Sequence, residues 1–215
     1  MDLNNKVIYS TFIAFVIAAG IGIGFTVQHA DMATPATSVP NSGVYQLTLV
    51  ITTNNYYNNT TDQPAFYVLH NGSLQSSANI VLPANSLIEV TIINYDSGNA
   101  SVPAADAKVT GTVGNQITVV NNTLINSTAT KNGISVKGAW TTSSVQPSDI
   151  AHTFTIAGMN LNVPIVVSSI EQFSFHTANT NTYTWQCYAT CGSGSSGWGD
   201  AMSTPGWMTG TITVQ

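Results

Sequence analysis

Charged side chains are scarce in this chain of 215 residues: they make up 6% of it, against roughly 25% in an ordinary soluble domain. Arginine is absent, and four lysines stand against nine acidic residues, which gives a formal net charge of −5. A surface with so few cations cannot bind a nucleic acid by neutralising its phosphates, so nucleic-acid partners are excluded. We expect an exterior surface of uncharged Asn, Thr and Ser, suited to a harsh medium such as an acidic one.

Cysteine is equally rare, with only Cys187 and Cys191 in the whole chain. A bridge across this C-x3-C spacing would close almost no loop and add little stability, so the chain is not a disulfide scaffold. The two residues could still form a local disulfide outside the cell. The chain also lacks a G-x-S-x-G, P-loop or H-E-x-x-H motif, so any catalysis would belong to a partner.

The N-terminal part of the chain predicts a membrane anchor. Residues 7–27 form a run of 21 residues without a charge, long enough to cross a bilayer core of about 30 Å. The junction after the run is a poor cleavage site, which favours a retained anchor over a signal peptide. Lys6 indicates a cytoplasmic tail at 1–6, and residues 28–43 a linker outside the cell membrane. Residues 44–215 then form one extracytoplasmic domain.

Short stretches of alternating apolar and polar residues follow, and none has the 3.6-residue period of a helix. Such short strands with turn signals between them predict an all-β sandwich or barrel with antiparallel pairing. The stretches lie at 44–51, 65–69, 80–85, 87–95, 117–120, 134–140, 152–156 and 171–177, with two late strands around 182–187 and 209–214. Six N-x-S/T sequons fit an exported glycoprotein, although composition alone would produce about as many.

The loop between the two late strands collects residue types that bind soft metals. It carries Cys187 and Cys191, with Met208 at its exit, while His152 lies on an upstream strand. His152 shares its face with apolar residues, so it points inward, where an imidazole needs a partner. Imidazole and thiolate as strong ligands, with a thioether as the weak axial donor, are the ligands of a copper site. A core histidine satisfied by hydrogen bonds is the alternative.

Other candidate residues have simpler interpretations. His176 alternates with inward-facing phenylalanines and is predicted to face solvent, and His70 precedes an Asn-Gly turn. Trp185 is predicted to pack in the core. Trp198 and Trp207 either form a docking surface or shield the loop from water, and we favour shielding.

Three segments resemble subunit II of cytochrome c oxidase and other heme-copper oxidases. They are the D-x-x-H-x-F stretch that begins at Asp149, the C-x3-C-G-x-G loop with its M-x-G-T-x-x-V closing strand at 173–214, and the strand pair at 80–96. The resemblance implies a cupredoxin-like Greek-key β-sandwich with one N-terminal transmembrane helix. In that family a dinuclear copper centre receives electrons from cytochrome c or a blue copper protein. Matched by position, the implied metal ligands are His152, Cys187, Cys191 and Met208, with the backbone carbonyl of Ala189.

The chain departs from that family in its metal loop and in its length. No histidine follows Cys191, so the second imidazole ligand of the family is missing, and the longer loop carries Met202 as an extra soft donor. Residues at about 97–148 form an insertion where the family has only a few residues. These departures put the copper stoichiometry in question.

The sequence therefore supports a membrane-anchored cupredoxin that transfers electrons through a copper site in a respiratory chain. Its partners would be a heme-bearing integral membrane oxidase subunit and, as electron donor, a blue copper protein, a cytochrome or a quinol. The chain would be at most a non-catalytic electron-entry subunit. The alternatives are a copper-free structural subunit II of a quinol-type oxidase, a mononuclear blue-copper carrier resembling sulfocyanin, and a surface or filament protein.

Overall fold

The computed structural model describes residues 43–55, 63–100, 102–122, 130–131, 134–135, 138–191 and 200–215. These residues form fourteen strands joined by turns and short 3-10 segments. Within these ranges, no helix has the length and apolar character needed to cross a membrane. The predicted cytoplasmic tail, membrane span and nearly all of the linker lie outside the described residues.

Two β-sheets form a sandwich. The larger sheet contains, from edge to edge, β3 (Ser73–Ser76), β2 (Ala65–His70), β1 (Val44–Thr52), β5 (Leu87–Asn94), β12 (Ser169–His176), β6 (Ile117–Asn121) and β9 (Ala139–Thr142). The smaller sheet contains β11 (Leu161–Val166), β10 (Ile150–Ile156), β13 (Asn181–Gln186), β14 (Thr209–Val214) and β4 (Asn79–Leu82). A separate ribbon pairs β7 (Thr130–Lys131) with β8 (Ile134–Ser135). The prediction of an all-β sandwich is confirmed.

Aromatic side chains from both sheets meet in the core. Phe66 of β2 lies with its ring centroid 5.0 Å from that of Trp185 on β13 and 6.2 Å from that of Phe154 on β10. All three residues are completely buried. Trp185 Nε1 donates a hydrogen bond of 3.0 Å to the carbonyl of Ser77, which satisfies the one polar atom of the indole. Trp185 is thus a core residue, as predicted.

The strand pairing differs from the prediction in direction. β1 pairs in parallel with β5, and β14 pairs in parallel with β4, so both sheets are mixed and not purely antiparallel. The alternation of apolar and polar residues sets which face of a strand is buried, but it carries no information about the direction of its neighbour. The expectation of antiparallel pairing throughout was therefore wrong.

Several strands were predicted incompletely. β11 and the short β3 were not predicted, and the stretch at 134–140 is divided into β8 and β9. β11 contains Pro164, which interrupts a strand pattern because proline has no backbone N–H to donate. The structure accommodates it because β11 is an edge strand of the smaller sheet. Residues 97–148, predicted as an insertion, contribute β6 and β9 to the larger sheet.

β12 carries a buried acid on its inner face. Phe173 and Phe175 are buried and His176 is exposed, as the alternation predicted, and Glu171 shares the inner face at 0% exposure. Its Oε1 accepts hydrogen bonds from the Val166 N–H, at 2.8 Å, and from the Ser169 hydroxyl. Its Oε2 has no hydrogen-bond partner among the described residues. Burial in this apolar layer raises the pKa of Glu171 to about 8.

Glu171 should make the metal-free protein less stable as the pH rises. Between its ordinary pKa of 4.5 and its folded-state pKa of about 8, the folded state keeps a proton that the unfolded state releases. The free energy of unfolding should then fall with pH, by up to about 1.4 kcal/mol per pH unit from this one group. Denaturant titrations at pH 5 to 8 should show this contribution in wild type and its loss in Glu171→Gln.

The matched control is Glu89→Gln, because Glu89 lies half-buried on the outer face of the same sheet and hydrogen-bonds to Gln46. That variant should keep the wild-type slope. An identical slope in wild type and Glu171→Gln would contradict the assignment.

Candidate metal centre

The loop after β13 is fastened to β10 and to the start of β14 by backbone groups. The N–H of Cys187 donates to the carbonyl of Met208 at 2.8 Å, which extends the β13–β14 ladder and brings the two ends of the loop together. The N–H of Tyr188 donates to the Thr153 hydroxyl at 2.7 Å, and the N–H of Thr153 donates to Cys187 Sγ at 3.3 Å. These bonds fix Cys187 beside His152, the residue before Thr153 on β10.

His152, Cys187 and Cys191 form a buried cluster. The possible ligand atoms of the three residues lie within 4.8 Å of one another. His152 Nδ1 is 3.0 Å from Cys191 Sγ, and the two sulfur atoms are 3.4 Å apart. The carbonyl oxygen of Ala189 lies 3.6 Å from Cys187 Sγ and 3.3 Å from Cys191 Sγ. The structure therefore brings four of the five sequence-predicted site residues together.

Met208, the fifth predicted site residue, is completely buried. Its carbonyl accepts the hydrogen bond from the Cys187 N–H, and its own N–H donates to the carbonyl of Ala201 at 3.1 Å. Met202, the second possible sulfur donor, is also buried. Trp207 is 8% exposed, which fits the preferred role of shielding and not that of an exposed docking residue. Trp198 lies outside the described residues, and ligation by Met208 stays a prediction.

Asp96 is a site residue that sequence reasoning missed. Its Oδ2 lies 3.0 Å from His152 Nε2, on the side of the ring opposite the cysteines. Two hydrogen bonds to its neighbours hold the segment in place, because the Asp96 N–H donates to Asn94 Oδ1 and the Gly98 N–H donates to Asp96 Oδ1. A carboxylate on the far nitrogen fixes the ring and its tautomer, so that Nδ1 is left to bind a metal. The I-x-N-x-D pattern contained this residue, but the pattern does not reveal which group an aspartate reaches.

Burial and close contacts oppose each other in setting the charges of the cluster. Burial alone would lower the pKa of His152, but its contacts with Asp96 and Cys187 raise the pKa to about 9. Burial also disfavours the thiolate of Cys187, yet contacts with Cys191 and His152 lower its pKa well below the usual range. The hydrogen bond to Cys187, together with burial, raises the pKa of Cys191. The metal-free cluster thus favours an imidazolium beside the Cys187 thiolate, with Cys191 as a thiol.

One edge of the cluster borders an open cleft of about 320 Å³. Asp96, His152 and Cys191 contribute to its wall, and the remaining lining residues are small or polar: Thr53, Pro64, Gly98, Asn99, Ala100, Ala151 and Thr190. Asp96 is 16% exposed there, whereas His152 is 2% exposed. Water can therefore reach the carboxylate while the imidazole stays buried.

The cysteine pair should be reduced and not joined in a disulfide. A sulfur separation of 3.4 Å is far longer than the bond of about 2.05 Å in a disulfide, and both cysteines are free in the structure. Protein unfolded without reductant should take up two alkylating groups per chain, whereas folded protein should react slowly because the thiols are buried. Cys187→Ser should take up one group. Absence of labelling until reduction would reveal a disulfide instead.

Replacing Asp96 should weaken metal binding without removing a ligand. Loss of a carboxylate that orients a metal-binding histidine typically lowers affinity about 10- to 100-fold, and we expect this for Asp96→Asn in a copper competition titration against a chelator. Asp106→Asn removes the same charge from a turn outside the cluster and should bind as wild type does. Equal affinities for the two variants would contradict the role given to Asp96.

No protein-family model matches the chain, and no curated protein matches it either. Solved structures that match the chain include reduced rusticyanin, at 13% identity over 82% of this chain and 82% of that chain, with a TM-score of 0.35. A heme-copper terminal oxidase dimer matches at 12% identity over 98% and 94%, with a TM-score of 0.38. Rusticyanin from Thiobacillus ferrooxidans matches at 13% over 80% and 78%, with a TM-score of 0.34. At such low similarity the function has to be derived from the site itself.

Proposed function

We propose that this protein is a membrane-anchored, copper-binding electron-transfer protein similar to subunit II of heme-copper oxidases. One observation carries the proposal: a buried imidazole and two buried sulfur atoms converge within 4.8 Å at one end of a β-sandwich. Thiolate and imidazole are ligands that suit copper, and a site of this kind supplies a one-electron redox centre.

The residues present fit a copper site with fewer imidazoles than the resemblance implies. His152 Nδ1, Cys187 Sγ and Cys191 Sγ are the strong donors, and the Ala189 carbonyl lies near both sulfur atoms. Met208 would be the weak donor. The described residues offer no second imidazole at the cluster, so its place goes to a weaker donor or stays open.

The surroundings of the cluster serve electron transfer by holding the ligands still. Asp96 holds the imidazole from one side, and the backbone bonds of Cys187 and Tyr188 hold the loop to its neighbouring strands. The ring of Phe66 packs edge-on against His152 with the centroids 6.2 Å apart. Ligands that are buried and held in this way would let a bound copper ion gain and lose an electron with little change of structure.

The membrane anchor and the partners follow from the sequence. The charge-free run at 7–27 would hold the domain at the outer face of the cell membrane. A heme-bearing integral membrane subunit would accept the electron, and a cytochrome, a blue copper protein or a quinol would supply it. Tyr188, which is 42% exposed and directly follows Cys187, is the side chain through which we expect a partner to approach the cluster.

Copper titration of the full-length protein in detergent tests the proposal. We expect copper to bind with a sulfur-to-copper absorption band that disappears in Cys187→Ser and His152→Ala. His176→Ala is the matched control, because His176 is exposed on β12 and outside the cluster, and it should bind as wild type does.

The number of copper ions bound per chain distinguishes a dinuclear centre from a mononuclear one. Two coppers per chain, with the EPR hyperfine pattern of an electron shared by a copper pair, would indicate a dinuclear centre. One copper with a strong blue absorption would indicate a mononuclear carrier. A wild-type protein that binds no copper would refute electron transfer and favour a structural subunit.

A further inference from the structure

We propose that the buried carboxyl of Glu171 takes up a proton from solvent when an electron enters the copper centre, so that electron transfer is coupled to proton binding. The inference rests on the proposed copper site. The electron comes from a one-electron donor such as a reduced cytochrome or blue copper protein. The proton comes from solvent: an O–H bond of hydronium breaks and releases water as one O–H bond forms on the Glu171 carboxylate.

Glu171 is poorly explained as a structural residue. It lies on the inner face of β12 with the apolar Phe173 and Phe175. Its bonds from Val166 and Ser169 involve Oε1, and an amide oxygen could accept them equally well. Oε2, which is buried and without a partner in the described part of the chain, is the atom that distinguishes the acid from an amide. A buried acid of this kind can change its charge by binding a proton.

A continuous series of contacts connects Glu171 to the copper-binding imidazole. Glu171 Oε1 accepts from the Val166 N–H at 2.8 Å, and the Val166 carbonyl accepts from Asn94 Nδ2 at 2.9 Å. Asn94 Oδ1 accepts from the Asp96 N–H at 3.0 Å, and Asp96 Oδ2 lies 3.0 Å from His152 Nε2. These bonds fix the polar groups that lie between Glu171 and His152. Because those groups cannot reorient freely, they screen the charge of either residue only weakly.

In the part of the chain that the structure describes, few other charges surround Glu171. Of the strands packed against β12, β6 and β11 contribute no titratable residue, and β5 contributes only Glu89 on its outer face. Asp149 lies near the β11–β12 turn, where its backbone carbonyl accepts from the Val167 N–H. On β12 itself His176 is exposed. His152 on β10 is the positive group that acts on Glu171, since its charge lowers the pKa of Glu171.

The direction of the coupling follows from the sign of these effects. Burial raises the pKa of Glu171 to about 8 without a metal, and positive charge at His152 opposes this rise. The oxidised centre carries one more positive charge than the reduced centre, so Glu171 is ionised more readily in the oxidised protein. Arrival of an electron removes that charge, and burial then favours the protonated carboxyl. Reduction should therefore be easier at low pH, where the proton is available.

The reduction potential of the copper-loaded, full-length protein as a function of pH is the test. In wild type we expect the potential to fall as the pH rises between about 5 and 9, by at most about 59 mV per tenfold change in proton concentration for one proton per electron. Glu171→Gln should lose this slope while it keeps the copper stoichiometry and the optical spectrum. Glu89→Gln, the same change on the outer face of the sheet, should keep the slope.

Infrared difference spectra provide a second readout. Reduction of wild type should produce the C=O band of a protonated carboxyl, and Glu171→Gln should lack it. Should Glu171→Gln fail to fold, Ser169→Ala replaces it: loss of that hydroxyl donor removes a contact that lowers the pKa of Glu171, so the pH dependence should move to higher pH.

The outcomes separate the two proposals. A flat potential in copper-loaded wild type, or an equal slope in Glu171→Gln, would overturn the role of Glu171 and leave the copper site intact. Failure to bind copper would overturn both, and the copper titration would show it before any potential is measured.

Discussion

The imidazole of His152 is held on both sides, by Asp96 at Nε2 and by the cysteine pair at Nδ1, and the rest of the site depends on this arrangement. A buried imidazole that lost either contact would leave a polar nitrogen unsatisfied in an apolar core. Both contacts require elements that are distant in sequence: the segment after β5, the strand β10 and the loop after β13. The ring therefore links the two sheets at the end of the sandwich where the cysteines lie.

Two features of the sandwich produce this arrangement: the positions of β5 and β10 in the two sheets, and the hydrogen bond that joins the ends of the cysteine loop. β10 carries His152 in the smaller sheet next to β13, while β5 delivers Asp96 from the larger sheet. The hydrogen bond from the Cys187 N–H to the Met208 carbonyl joins the end of β13 to the start of β14 and so holds Cys187 in place. On the core side of the cluster, the packed aromatic rings of Phe66, Phe154 and Trp185 support the imidazole of His152.

The distribution of charge in this protein is unusual, because a chain with few ionisable residues buries several of them. His152 and Glu171 are almost completely buried, and Asp96 is only slightly exposed. Burying any one of these groups in its charged form without a partner costs free energy. The charge of each group therefore depends on the other two and on any ion bound at the cysteines.

The sequence alone determined the β-rich fold, the inward face of β10 and β12, and the residue types of a soft-metal site, because periodicity and donor chemistry are local properties. It also placed His152, Cys187, Ala189 and Cys191 in one site. It could not give the parallel pairing of β1 with β5 or the edge strand β11, because pairing partners and edges are set by neighbours far away in the chain. Only the tertiary structure decided that Asp96 reaches His152 and that Glu171 is buried with hydrogen bonds to Val166 and Ser169, since both facts require the packing of two sheets.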